Sequence, residues 1–124
     1  MTDNQRLAFL NEWQGGDEAL LIREFEICSS QLFGADILLA SHMRDEFCGE
    51  AFVLFRRQGM LYEVNASHDS DGRIEGQWEP EETSVDVLRH RLEQGRLGSS
   101  ADGSNMFADE LRFLLAELEC GAYI

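Results

Sequence analysis

GEAFVLFRRQGMLYEVNAS, residues 49–67, decides the fold of this chain. Two runs rich in aromatic and aliphatic residues flank Gln58-Gly59. A two-residue turn at that point makes them a hairpin. Arg57 then faces Met60, Phe55 faces Tyr62, Val53 faces Val64 and Ala51 faces Ala66. Side chains alternate along a strand, so the last three pairs share one face, which is coherent and apolar. The opposite face carries Phe52, Leu54, Leu61, Glu63 and Asn65. That mixture is expected to be partly covered by a helix.

Upstream of the hairpin, DILLASHM at 36–43 reads as a strand, and MRDEFCGE at 43–50 reads as a loop. Asp17 has the chemistry of a helix cap. Leu21, Phe25, Cys28 and Leu32 follow it at i, i+4, i+7 and i+11, one face of a helix of three to four turns that stops near Gly34. Residues 4–13 read as a shorter helix through Leu7, Leu10 and Trp13, ended by Gly15-Gly16.

Downstream, SHDSDG at 67–72 is a polar turn, and Arg73–Trp78 is expected to form a short strand. Thr83 and Asp86 have capping-box spacing at the start of a helix over 84–94, with Val85, Leu88 and Leu92 on its apolar stripe. Residues 98–104 read as a loop. A last helix over 105–119 places Phe107, Leu111, Leu114 and Leu118 on its core face. The expected architecture is α+β: one domain over 1–124, with a small antiparallel sheet of three to four strands packed by N-terminal and C-terminal helices.

Charge is the sharpest bulk property. The chain has 24 acidic residues against 10 basic ones, for a net charge of −14, and all ten basic residues are arginine. Such a field repels nucleic acid and favours a basic protein surface or a cation. Direct nucleic-acid binding is therefore not expected. No apolar run reaches the roughly 20 residues that a membrane span needs. The start of the sequence lacks a basic leader followed by an apolar stretch, so a cytoplasmic location is the economical expectation. Three widely spaced cysteines do not suggest a disulfide framework.

The segment RIEGQWEPEETSVD, residues 73–86, concentrates this charge. It holds Glu75, Glu79, Glu81, Glu82 and Asp86 around Trp78 and the only proline, Pro80. Trp78 buried would anchor the sheet edge. Exposed, an aromatic ringed by carboxylates would be a hot spot for an arginine-bearing partner. With Asp69 and Asp71, these acids are the expected partner-binding residues. They are also the carboxylates that could mimic phosphate spacing in a DNA-binding channel. The loop at 68–76 fails as a calcium site, because counting from Asp69 places Arg73, Ile74 and Pro80 at the EF-hand positions 5, 6 and 12. None of His42, His68 and His90 lies in a metal-ligand motif, and no cofactor motif is present. His90 reads as a surface residue. His42, Cys48 and His68 stand at a strand end, a loop and a turn, better places for chemistry. They form the alternative, a small enzyme or metal-binding protein, with convergence of at least two of them as its requirement.

Residues 49–92 resemble a family of small uncharacterised proteins encoded by bacteriophages and by bacterial genomes carrying prophages. The shared core has the form "AFVLF…G.LYEVN.SH", then "EGQWEPEET", then "LRHRL", and the likeness extends more weakly to 15–21 and 107–115. Family members tend to have cysteines after the histidine, in a form like SHCSC. Here the matching residues are His68, Asp69, Ser70 and Asp71. The resemblance implies a phage or prophage setting. In that setting a small acidic protein binds and modulates or inhibits a host protein, such as a nucleic-acid-binding or defence protein, without catalysing a reaction. A virion-associated role is a further alternative.

Overall fold

The structure is a computed structural model that describes residues 9–44, 48–69, 73–99 and 103–120. Two compact units divide the chain, Met1–Glu82 and Thr83–Ile124. The first contains strands β1 (Phe9–Asn11), β2 (Asp36–Arg44), β3 (Gly49–Arg57) and β4 (Met60–His68), with helix α1 (Glu18–Phe25). A short edge strand, β5 (Glu81–Thr83), lies at the boundary. The sheet order is β1-β2-β3-β4-β5.

The hairpin has the register its sequence dictates. Arg57 pairs with Met60, Phe55 with Tyr62, Val53 with Val64 and Ala51 with Ala66. Gln58 and Gly59 both take positive φ, 53° and 81°, as a type I′ turn requires. β2 pairs antiparallel with β3, with one irregularity between Ile37 and Leu39 that shifts the alternation. Ala40, Ala51, Val53, Phe55, Val64 and Ala66 consequently form one continuous apolar face. Leu21 and Phe25 of α1, with Trp13, Leu32 and Ile74, complete that core.

The sheet has five strands rather than three to four, and it is mixed. β1 pairs parallel with β2, Phe9 opposite Ala40 and Asn11 opposite His42. This corrects the helix expected over 4–13, of which residues 4–8 lie outside the described region. Trp13 follows in a turn closed by its N–H on the Leu10 carbonyl. It is buried by folding onto the core rather than by helical periodicity. The next helix starts where expected, the Asp17 carboxylate accepting the Leu20 N–H. It ends early because Glu26 turns left-handed at φ 54°. Leu32 reaches the core from a separate 3-10 turn, Ser29–Leu32, and Cys28 is exposed.

Arg73–Trp78 is not a strand. Gly76 takes φ 83° and the segment crosses the core as a turn, while the strand comes later, at Glu81–Thr83. On the opposite face of the sheet Leu39, Phe52, Leu54 and Glu63 are all buried. The Asn65 side-chain amide donates to the Glu63 carboxylate at 2.8 Å.

The second unit contains α2 (Val85–Glu93) and α3 (Ala108–Glu119), which pack against each other. Ser84, not Thr83, caps α2, its hydroxyl accepting the Val87 N–H. Arg89 grips Glu119 with two hydrogen bonds of 2.6 and 2.8 Å. The Gly98 carbonyl accepts the N–H groups of Met106, Phe107 and Ala108, fixing the entry to α3. Gly98 stands at φ 80° against the Ala108 backbone, so neither its conformation nor its surroundings admit a side chain.

Candidate functional sites

The acidic segment is built on two inward anchors. Ile74 is fully buried in the core. Trp78 is half-buried, its ring stacked on Phe55 at 5.8 Å and edge-on to Phe25 at 5.0 Å. Its Nε1–H is buried with no hydrogen-bond partner among the described residues. Gln77 acts as a surrogate strand between these anchors. Its side chain accepts the Ser67 N–H and donates to the Ser67 carbonyl, at 3.0 and 2.8 Å.

From this base the chain turns outward. Glu79, Glu81 and Glu82 are exposed, and no ion pair engages them among the described residues. Glu75 differs, because Arg73 sits 2.9 Å from its carboxylate and holds its pKa below the ordinary value. Asp69 is exposed, Asp71 lies outside the described residues, and Asp86 is exposed in the first turn of α2. The second unit's Arg89 is engaged with Glu119. Among the described residues of the first unit, Glu79, Glu81 and Glu82 thus form an exposed carboxylate cluster with no ion pair, flanking Pro80.

A second constellation lies at the other end of the same core face. His42 of β2 and His68 of β4 bring their Nε2 atoms to 2.6 Å, with both residues buried. The register explains the meeting across an intervening strand. His42 pairs with Ala51, and His68 pairs with Gly49, so β3 presents one methyl group and no second side chain between them. A Cβ at Gly49 would overlap the His68 ring and stand 2.8 Å from the Met43 carbonyl. Trp13 covers His42, with ring centroids 5.3 Å apart.

Hydrogen bonding fixes the tautomer. His68 Nδ1 stands 2.6 Å from the Asp69 carbonyl oxygen, which can only accept, so Nδ1 carries the proton. With the proton on Nδ1, the Nε2 lone pair of His68 faces His42 and accepts its Nε2–H. Burial holds the His42 pKa below its ordinary value, and the neighbouring His68 adds to the effect. Glu12 and Glu24 oppose the shift, while Arg44 reinforces it.

Of the chemical trio read from the sequence, His42 and His68 converge and Cys48 is exposed. Among the described residues no group of three or more His, Cys, Asp or Glu side chains is placed to hold a metal ion. His90 is exposed on α2. The small residues at 49 and 51, two strand positions apart, are the sequence signal for the histidine notch, but only the register gives them meaning. No helix among the described residues is long and apolar enough to cross a membrane. No family model matches the chain, and neither a curated protein nor a solved structure matches it.

Proposed function

We propose that this chain is a non-enzymatic binding protein that presents an acidic surface to a basic surface of another protein and modulates or inhibits it. The observation that carries this reading is the exposed set Glu79, Glu81 and Glu82, engaged in no ion pair among the described residues and mounted directly on the buried Ile74 and the half-buried Trp78. A net charge of −14 steers the encounter. The anchored base limits the ordering entropy lost on binding. The phage or prophage likeness makes a host protein the target and the host cytoplasm the setting. Nucleic-acid-binding and defence proteins carry suitable basic faces. DNA mimicry is the special case in which the target is displaced from its nucleic acid.

The test is affinity capture from nuclease-treated host lysate, with wild type beside a Glu79→Arg, Glu81→Arg, Glu82→Arg variant. Wild type is expected to retain a host protein that the variant releases. Identical retained sets would remove the acidic segment from the interface.

A further inference from the structure

We infer that His42 and His68 form a binding site for a borderline divalent transition-metal ion, of the Zn2+, Ni2+ or Cu2+ class, with two protein ligands and open remaining positions. This goes beyond the acidic-surface reading and uses a different part of the first unit.

Three independent features of the notch point to a ligand between the rings. The first is convergence. Two imidazole Nε2 atoms meet at 2.6 Å inside a buried face whose other members are apolar. An apolar pair at these positions would continue the Ala40, Val53, Val64 face and close the end of the core. Two imidazoles instead bring polar nitrogens inside, where each must be satisfied.

The second feature is the outer shell. A metal-ligating histidine commonly donates its other ring N–H to a backbone carbonyl or a carboxylate, which fixes the tautomer and aims the free lone pair. His68 has this arrangement through the Asp69 carbonyl. Trp13 packs against His42 from the other side, with the ring planes inclined by 39°.

The third feature is position. Gly49 admits the His68 ring to the place a Cβ would otherwise take, which brings its Nε2 to His42. Metal–nitrogen bonds of about 2.0–2.1 Å in a tetrahedral shell place two ligating nitrogens about 3.3 Å apart. The rings, with centroids 4.8 Å apart and planes inclined by 63°, reach that spacing by a small opening about their own side-chain bonds. The ion takes the place of the proton that His42 shares with His68, and that proton goes to solvent.

Ligand type sets the selectivity. Neutral imidazole suits zinc, nickel and copper, whereas magnesium and calcium require oxygen-rich shells. Glu12 and Glu24 act on His42 in the direction that favours a cation, and Arg44 opposes them. With two side-chain ligands, water or a donor from a bound molecule completes the shell.

The experiment uses full-length protein stripped of metal with a chelator and then dialysed. Zn2+ is added and followed by calorimetry and by 15N spectra of the histidine rings. One equivalent is expected to bind, shifting the Nε2 signals of His42 and His68 while His90 stays in place. Mg2+ at the same concentration should leave all three unchanged. His42→Gln and His68→Gln should each lose the equivalent, and His90→Gln should keep it. Unshifted His42 and His68 signals in wild type would overturn the assignment, and this arm depends on no variant folding. Zn2+ uptake that persists in both glutamine variants would also overturn it, by assigning the ion to surface carboxylates.

Discussion

Trp78 shows how one residue carries both a structural and a functional expectation. Its ring lies against Phe25 and Phe55, so truncation removes buried aromatic packing from the core of the first unit. Trp78→Ala should lower unfolding stability by about 3 kcal/mol, the lower end for a large aromatic given its partial exposure, as a shift in urea midpoint. Lost binding in that variant would therefore not separate contact from folding, and charge reversal at Glu79, Glu81 and Glu82 is the cleaner probe. His42 gives a prediction with a definite sign. Its folded pKa is depressed below 6.5, so in metal-free protein the unfolded chain binds more protons as the solution is acidified. The stabilisation is full above about pH 6.5 and is lost as pH falls through the lower folded value. Unfolding midpoints measured with chelator from pH 8 to pH 5 should show this decline, and His42→Gln should flatten it. The sequence marks His42 and His68 as candidates but cannot pair them. Their meeting depends on the two-residue offset between Ala51 and Gly49 on the intervening strand.

At the scale of elements, the hairpin was legible because its alternation and turn specify the same register. The turn also carries a removable strain. Gln58 stands at φ 53°, a left-handed conformation that asparagine and glycine tolerate better. Gln58→Asn should stabilise the protein by roughly 0.5 kcal/mol without altering the register, measured as a rise in urea midpoint. β1 was illegible for the opposite reason. Leu7, Leu10 and Trp13 have helical spacing, yet Phe9–Asn11 gains backbone bonding along β2, and tertiary pairing outweighs a short periodic signal. Thr83 and Ser84 illustrate a one-residue ambiguity of capping chemistry. Both are good caps by type, and β5 claims Thr83 while Ser84 closes the first turn of α2. The acidic segment was visible as a cluster. Its inward anchor Ile74 was not, because an isolated aliphatic between charged and glycine residues has no period to betray its burial.

At the scale of the whole molecule, a charge of −14 on 124 residues opposes compaction and favours an oppositely charged partner. Raising NaCl from about 0.01 M to about 1 M shortens the screening length from about 30 Å to about 3 Å. The melting temperature of the free protein should rise over that range as self-repulsion fades. The same screening should weaken a complex made through the acidic segment, so stability and affinity should move in opposite directions with salt. The most direct test is the dissociation constant of the captured complex as a function of NaCl concentration, for wild type and for the Glu79→Arg, Glu81→Arg, Glu82→Arg variant. The acidic-surface account predicts that wild-type affinity falls steadily with salt, and that the variant binds more weakly with a shallower dependence. A dissociation constant that ignores both salt and charge reversal would contradict it.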